Sequence, residues 1–198
     1  AKIIDYAHSP NRSDVLDVAL CASCRLFVSS PSGLHTVAHA FGRPVCYVNF
    51  PIYAGFPWHP GEIITPQRYY SHESKRVLSL QEILSSDLVH ADHQFMLSRA
   101  GIELIHNEPD EITETVREAL APDEYQISDG ADGQKVRQKF DQLNKNHKVD
   151  ISGQLSLYFA AKYASELCPE LSLKPKPKSS LQAPPKMIRE PSPPSKSL

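Results

Sequence analysis

The 198-residue sequence has little of several features that mark particular protein classes. It contains one Trp, two Met and four Cys. Its apolar runs fall short of the roughly 18 residues that a membrane-spanning helix requires. No basic start followed by a long apolar stretch marks a secretory signal. Four cysteines without such a signal indicate free thiols in a reducing compartment rather than a disulfide framework.

Motifs for common cofactors and metals are also missing. No G-x-G-x-x-G follows a strand-like run, which argues against a Rossmann dehydrogenase. The SDGADG segment at residues 128–133 lacks the Glu that ends a calcium loop, so it predicts a plain turn. His35 and His39 stand one helical turn apart, but Thr36 occupies the place of the Glu in H-E-x-x-H. We therefore expect no metal and no cofactor.

The cysteine pattern leads to the same expectation. Cys21 and Cys24 form a C-x-x-C at the end of a predicted helix, whereas a redox motif places its first Cys at a helix start. Zinc would need two more ligands at suitable spacing, and Cys46 and Cys168 stand alone. We interpret the cysteines as buried small residues.

Charge is unevenly distributed along the chain. After Cys168 there are six basic and two acidic residues, a net charge of +4, while the preceding body carries −6. An acidic body argues against nucleic acid as the main partner. Residues 169–198 also hold eight of the 17 prolines and are rich in Lys and Ser. Such a composition forms no core, so we predict a disordered basic tail.

The most informative stretch is residues 29–49. An apolar run at 26–28 ends in small residues, and residues 45–48 resume a buried strand after Gly42 and Pro44 stop the intervening helix. Four apolar residues form one helical stripe at i, i+3, i+4 and i+7: Leu34, Val37, Ala38 and Phe41. The pattern predicts a strand, a tight loop, a short helix and a second strand.

This loop has two interpretations. Gly33 lets a ligand approach the backbone, and the N–H groups of Ser32, Gly33 and Leu34 at the helix start form an anion site that suits a diphosphate. An ordinary strand-to-helix turn without a ligand is the alternative. Arg12, in the turn after a candidate strand at residues 2–5, is expected at the same sheet edge, where it could neutralise a diphosphate. A surface Arg paired with Asp14 is the alternative there.

Two further side chains are candidates for the same site. His35 follows the loop closely and could donate a hydrogen bond to a diphosphate, although a solvated helix face is equally compatible with its position. Asn49 ends its strand at the same edge and is predicted to bond the base or sugar of a ligand.

Helix signals recur on both sides of this stretch. Ser13 or Asn11 could cap a helix whose apolar residues are expected to face a sheet: Val15, Val18, Ala19 and Ala22. Ser79 to Glu82 form a capping box, and Pro109 stands at the first position of an amphipathic helix. Residues 155–167 predict a last helix. The alternation of strands and helices predicts an α/β fold with a doubly wound parallel sheet.

An irregular loop is predicted at residues 50–67, which are rich in proline and aromatic residues. Tyr53, Phe56 and Trp58 could wall a ligand pocket or fill the core beneath the loop. Residues 102–106 predict the next strand of the sheet.

Four segments resemble known glycosyltransferases. SGLHTVAHAFGRPV at residues 32–45 resembles the donor-site segment of two-domain GT-B enzymes and is similar to that of heptosyltransferases, which share its Gly, helix and G-x-P-V exit. Three other segments resemble a little-characterised family of bacterial glycosyltransferases: residues 4–30, 65–84 and 101–116. The resemblance covers residues 2–159.

The resemblance implies that the chain is the C-terminal, donor-binding half of a GT-B glycosyltransferase. Residues 1–150 would form a Rossmann-like nucleotide-sugar-binding domain, residues 151–168 a C-terminal helix and residues 169–198 the tail. The substrates would be a nucleotide-sugar and a glycan or lipid-linked glycan acceptor, as in surface polysaccharide synthesis. A preceding acceptor domain is expected, because the chain starts without Met and almost at once in strand-like sequence. The expected location is cytoplasmic, with a peripheral position at the inner membrane as the alternative.

Two departures from these families concern the donor. Val37 stands where many retaining enzymes carry an acidic residue for the ribose, and Pro31 stands where heptosyltransferases carry Asp. No general base is identified, so no catalytic residue is assigned. The alternative function is a non-catalytic, flavodoxin-like interaction or nucleotide-binding module.

Overall fold

The computed structural model describes residues 3–30, 32–52, 59–91, 94–128, 130–149, 151 and 153–172. Its strands are β1 (Phe27–Ser29), β2 (Val45–Phe50), β3 (Ile63–Pro66), β4 (Arg68–Ser71), β5 (Arg76–Val77), β6 (Ile102–Ile105) and β7 (Gln154–Leu155). Its α-helices are α1 (Asp14–Ser23), α2 (Leu34–Ala40), α3 (Leu80–Leu84), α4 (Gln94–Arg99), α5 (Pro109–Leu120), α6 (Gly130–His147), α7 (Leu157–Lys162), α8 (Ala164–Leu167) and α9 (Pro169–Ser172). A 3₁₀ helix spans Asp87–His90.

Four strands form a parallel sheet in the order β1-β2-β3-β7. Helices cover both of its faces. Tyr47 of β2 is hydrogen-bonded to His39 of α2, whereas the Thr65 hydroxyl of β3 is hydrogen-bonded to Thr115 of α5. Because Thr65 is in register with Val48, and neighbouring residues of a strand point to opposite faces, α2 and α5 lie on opposite sides. The predicted mixed α/β fold with a parallel sheet is confirmed, and it is compatible with a Rossmann-like fold.

In the described part of the parallel sheet, the strands lie side by side in the order in which they occur in the sequence. Doubly wound sheets have a reversal of strand order at their ligand crevice, and the four described parallel strands contain no such reversal. A second sheet accounts for the remaining strands: β4 pairs antiparallel with both β5 and β6. The strand predicted at residues 102–106 therefore exists, but it belongs to a separate antiparallel sheet.

One core cluster joins buried side chains of the parallel sheet and of β4 with those of α3, α4, α6, α7 and α8. Close packing is visible at Gly133 of α6, where an added Cβ would lie 2.7 Å from the carbonyl oxygen of Leu157. The largest fully buried side chains are Tyr47, Phe50, Ile64, Tyr69, Leu80, Ile83, Leu84, Leu97, Phe140, Leu143, Leu155 and Phe159.

The sequence signals for helix starts were correct for three helices, α1, α3 and α5. Ser13 Oγ accepts a hydrogen bond from the N–H of Leu16, and Ser79 and Glu82 form the predicted capping box. Pro109 begins α5. These signals are satisfied within a few residues, so they do not depend on the rest of the fold.

Other expectations were wrong. Residues 3–5 form no strand, and Ile3 is 92% exposed, because no described strand lies beside them. The apolar stripe of α1 faces away from the sheet: Val15 is 80% exposed, and Cys21 is the buried residue of this helix. β3 lies inside the loop predicted at residues 50–67.

The C-terminal segments differ in detail from the sequence analysis. The turn predicted at residues 128–133 is the start of α6, and the helix predicted at 155–167 is divided into α7 and α8 at Tyr163. The predicted tail begins with α9, and residues 173–198 lie outside the described residues. Within the described helices, none is long and apolar enough to cross a membrane.

Candidate functional site

The loop between β1 and α2 lies at the carboxyl end of β1, as the sequence predicts. Ser29 Oγ lies 2.5 Å from the carbonyl oxygen of Ser30 and 3.3 Å from Ser32 Oγ, and Thr36 Oγ1 donates to the carbonyl of Gly33. Ser32, Gly33 and Leu34 are exposed. The backbone of the α2 start is therefore accessible to a ligand.

Gly33 is the N-cap of α2 and has φ of −63°, which any residue can adopt. No atom lies within 4 Å of a Cβ built on it. The glycine is therefore not required by the fold of this loop. It leaves open space directly above the helix start, and a side chain introduced there would occupy the space where a phosphate is predicted.

Arg12 lies in the segment before α1 rather than after a strand, and it borders a groove that reaches the start of α2. Arg12 and Leu34 line one groove of about 450 Å³, whose wall includes Leu20, Cys21 and Phe27. Within residues 3–30, Arg12 forms no ion pair with Asp14, so that alternative is not observed. Arg12 instead follows a turn in which its N–H donates to the carbonyl of Ser9. We refer to this space between α1, β1 and α2 as the α1 groove.

His35 does not face the loop surface. Its side chain is 6% exposed and lies under α2 against Tyr47, with ring centroids 5.5 Å apart in an edge-on arrangement. Burial lowers the pKa of His35, and a hydrogen bond with the backbone of Ser32 opposes that effect. The alternative of a solvated helix face was wrong. In its neutral form, the His35 imidazole packs between α2 and Tyr47 and so stabilises the start of the helix.

Asn49 is the residue before the end of β2, at the same sheet edge, but its side chain is engaged in the fold. Asn49 has φ of +52°, at an irregularity in the pairing of β2 with β3. Its Oδ1 accepts from the N–H of Asn107, and Asn107 Oδ1 accepts from the N–H of Asn49, both at 2.6 Å. The Asn107 amide also donates to the carbonyl of Pro66. The structure therefore gives Asn49 a role in joining β2 to the segment before α5.

A titratable cluster that the sequence analysis missed lies at the opposite, amino-terminal edge of the sheet. Glu62 is 7% exposed, and its carboxylate accepts from the N–H of His59 at 2.8 Å and lies 3.1 Å from His39 Nε2. His39 is also hydrogen-bonded to Tyr47, and its ring lies 4.3 Å from that of His59. A cavity of about 300 Å³ opens beside the cluster, with Arg43 in its wall.

Burial shifts the pKa values of this cluster in opposite directions. It raises the pKa of Glu62 to about 7, against the effect of the hydrogen bond from His59. It lowers the pKa of His39, and the neighbouring His59 and His35 lower it further. Desolvation, followed by the charge of Glu62, raises the pKa of Tyr47. A buried carboxyl with a raised pKa therefore lies beside an imidazole with a lowered pKa, so burial favours the neutral form of both groups.

No signal local in the sequence would have revealed this cluster. Residues 39 and 62 belong to different elements, and only the pairing of β2 with β3 brings them together. In the described ranges, no group of three His, Cys, Asp or Glu side chains has metal-binding geometry.

The cysteines are free thiols, as predicted. Cys21, Cys46 and Cys168 are buried, and Cys24 is partly buried with its Sγ 3.2 Å from the carbonyl of Cys21. Burial raises the pKa of Cys46 and of Cys168 to about 12. The interpretation of the cysteines as buried small residues is therefore confirmed for Cys21, Cys46 and Cys168.

The aromatic residues predicted to wall a pocket or fill the core lie outside the described residues: Tyr53, Phe56 and Trp58. Pro31 also lies outside the described residues. Comparison of the chain with protein-family models, curated proteins and solved structures finds no match.

Proposed function

We propose that this chain binds the nucleoside diphosphate of a nucleotide-sugar and acts as the donor-binding half of a glycosyltransferase of GT-B type. The transferred sugar would go to a glycan or lipid-linked glycan held by a second domain. No cofactor or metal is required by this proposal, and no catalytic residue is assigned in this chain.

The observation that carries the proposal is the open helix start beside a groove that Arg12 lines. Ser32, Gly33 and Leu34 are exposed at the carboxyl end of a parallel strand, and Arg12 lies in the wall of the adjoining groove. Phosphates bind in such positions because the first N–H groups of a helix have no partner within the helix and carry partial positive charge. An arginine nearby adds charge-assisted hydrogen bonds.

The positions of His35 and Asn49 limit which groups could contact a diphosphate. Neither side chain faces the open loop, so the contacts to a diphosphate would come from the backbone and Arg12. His35 would contribute by supporting the helix start, and Asn49 by holding the end of β2. The absence of an acidic side chain at Val37 leaves the ribose without the partner found in many retaining enzymes.

Isothermal titration calorimetry with UDP, GDP, CMP and their sugar conjugates tests the proposal on the full chain. We expect one nucleotide series to bind. Gly33→Asp should weaken binding at least tenfold, because it places a carboxylate where the phosphate would sit and meets no steric obstacle in the fold.

Gly33→Asn is the matched control, since it has nearly the same size without the charge. It should weaken binding less than Gly33→Asp. Arg12→Ala should weaken binding of the diphosphates more than that of CMP. A folded protein that binds none of the nucleotides would refute the proposal, and so would affinities that Gly33→Asp leaves unchanged.

The exposed apolar residues of α1 favour a second candidate, a non-catalytic interaction module. Val15 and Val18 form part of a helical stripe that faces no described element. Nucleotide binding that is lost in Gly33→Asp would argue against this candidate as the sole function.

A further inference from the structure

Three consecutive strands of the parallel sheet, β1, β2 and β3, begin at one cavity. Leu26, Pro44 and Glu62, each the residue before its strand, line this space of about 300 Å³ together with the ends of α2 and α5. Its volume lies at the lower end of the range for small-molecule sites, about 300–1,000 Å³. The cavity lies at the opposite sheet edge from the loop at Gly33. We refer to it as the Glu62 cavity.

Three carboxylate side chains are buried in the described part of the chain, and two of them have a cationic side chain as partner. Glu111 pairs with Lys162, and Glu118 pairs with Arg137. Glu62 pairs with no Lys or Arg among the described residues, although it is 7% exposed. Buried charges in proteins are normally paired, so Glu62 is the exception. It is also the buried carboxylate that lines the cavity.

The two groups beside the Glu62 carboxylate supply no full positive charge. One is the backbone N–H of His59, which donates to it at 2.8 Å, and the other is the imidazole of His39 at 3.1 Å. Burial, followed by the neighbouring His59 and His35, lowers the pKa of His39, so its ring is neutral at pH 7. The raised pKa of Glu62 is the expected consequence for a desolvated carboxyl without a counter-charge.

The remaining wall of the Glu62 cavity carries charge of both signs. The end of α5 borders the cavity through Ala119 and Pro122, and the C-terminal end of a helix carries partial negative charge. Arg43 lies in the same wall, is exposed and forms no ion pair with a described residue. A buried anion and an exposed cation, neither with a side-chain counter-charge in the described chain, therefore share one cavity.

We propose that the Glu62 cavity binds a small zwitterion of the amino acid class, whose ammonium group pairs with Glu62 and whose carboxylate pairs with Arg43. The ammonium group supplies the counter-charge that the described chain does not give to Glu62. The guanidinium of Arg43 can hold a carboxylate through two parallel hydrogen bonds. The rings of His39 and His59, whose centroids lie 4.3 Å apart, form the polar wall beside the ammonium group.

Two groups of the chain itself could compete for Glu62. Arg43 could turn inwards, but the structure shows no ion pair between these two described residues. A lysine from outside the described residues would supply a cation, but it would bring no carboxylate for Arg43. A free zwitterion satisfies both groups at once, so the charges of the cavity favour it as the occupant.

Isothermal titration calorimetry of the full chain with the standard amino acids, β-alanine and γ-aminobutyrate tests the proposal. We expect at least one of them to bind at a single site. Glu62→Gln should weaken this binding at least tenfold, because it removes the buried negative charge. Glu103→Gln is the matched control, since it changes an exposed carboxylate of β6 in the antiparallel sheet, and it should bind the ligand normally.

The second variant addresses the carboxylate of the ligand. Arg43→Ala should weaken binding of the amino acid at least fivefold and change binding of its primary amide little, because the amide has no carboxylate for Arg43. Circular dichroism verifies that each variant is folded.

Two derivatives of the ligand keep the test independent of the fold of a variant. On the unaltered protein, the N-acetylated amino acid should bind at least tenfold more weakly, because it lacks the ammonium group that pairs with Glu62. The primary amide should also bind more weakly than the amino acid, because it lacks the group that pairs with Arg43.

The proposal would be overturned if none of the compounds binds the folded protein, or if Glu62→Gln or N-acetylation leaves the affinity unchanged. Equal or tighter binding of the amino acid to Arg43→Ala would mean that Arg43 does not hold the carboxylate, and it would overturn the proposal as well. The proposal does not depend on nucleotide binding, so each can fail without the other.

Discussion

The two margins of the parallel sheet bury their side chains very differently. At the β7 margin, α6 and α7 enclose Phe140, Leu155 and Phe159, which are all fully buried. Ion pairs that involve buried carboxylates accompany this packing, among them Arg137 with Glu118 and Lys162 with Glu111. On the β1 side of the sheet, the helical stripe of α1 is exposed, and the hydrogen bond between His8 and Asp5 lies on the surface.

The comparison shows that an apolar stripe alone does not decide burial. α1 and α6 both carry apolar residues at helical spacing, but the described chain supplies a partner surface only for α6. Hydrophobic stabilisation follows the area that is removed from water, so α6 contributes to the free energy of unfolding and the outer face of α1 contributes little. Substitutions at matched positions measure this difference.

The largest expected effect comes from the buried aromatic residues. Phe140→Ala should lower the free energy of unfolding by about 3–5 kcal/mol, because it removes packed atoms and leaves a cavity. Phe41→Ala, at a side chain that is 50% exposed, should cost far less, about 1 kcal/mol or below. Urea unfolding followed by circular dichroism measures both. Equal losses would contradict the assigned difference between the margins.

A pH-dependent effect is expected at Glu62, whose carbonyl accepts from the N–H of Gln154 on β7. Its pKa rises from 4.5 to about 7 on folding, so the stabilising effect of the protonated carboxyl is complete below pH 4.5 and is lost as the pH rises through about 7. The difference in unfolding free energy between Glu62→Gln and the unaltered protein should therefore change by on the order of 3 kcal/mol across this range.

His35 and His39 affect the pH dependence of stability in the opposite direction. The lowered pKa values of His35 and His39 reduce stability as the pH falls below 6.5. Both proteins contain these histidines, so we expect most of that contribution to cancel in the comparison. Unfolding curves in urea at half-unit pH steps provide the measurement. A difference that stays constant from pH 4.5 to 7 would show that Glu62 is not desolvated by the fold.

Substitutions of the N-caps of α3 and α1 should differ less in their effect on the free energy of unfolding. Ser79→Ala breaks a reciprocal capping box that is partly buried in front of α3, and it should cost about 1 kcal/mol. Ser13→Ala removes the exposed cap of α1 and should cost about half of that. Thermal unfolding of both variants tests the order. A larger loss for Ser13→Ala would indicate that α1 is packed more extensively than the structure shows.

The smallest effect is expected at Val15. Val15→Ser should change the free energy of unfolding by no more than about 0.5 kcal/mol, since the side chain is 80% exposed. Its solubility should increase. A loss above about 1 kcal/mol, measured at low protein concentration, would mean that another part of the protein covers the outer face of α1.

Local features could be predicted from the sequence. The helix at α2, the strand at β2, the cap of α3 and the start of α5 depend on residues within one or two turns of each other. The position of the candidate loop at the carboxyl end of a parallel strand followed from the sequence pattern. The groove that it shares with Arg12 did not follow from the same rule, because residues 3–5 form no strand. The four free cysteines were predicted from their small number and the absence of a recognisable secretory signal.

Features that depend on distant pairing could not be predicted. The antiparallel sheet joins β4 to β6, about thirty residues later, and nothing in either strand indicates its partner. The buried position of His35 depends on its contact with Tyr47 of β2. The Glu62 cluster depends on the register of β3 with β2. The exposed stripe of α1 was assigned to the core because periodicity indicates an apolar face but not whether another element covers it.

The exchange of hydrogen bonds between Asn49 and Asn107 has a consequence for how the chain folds. The two residues are 58 positions apart, so their pairing closes a long loop that contains the whole antiparallel sheet. Contacts of such sequence separation pay a large entropic cost before they stabilise anything. We therefore expect the helices and the β4–β5 hairpin to form first. The contacts that join the two sheets should form late in folding. Asn107→Ala should accordingly accelerate unfolding far more than it slows folding.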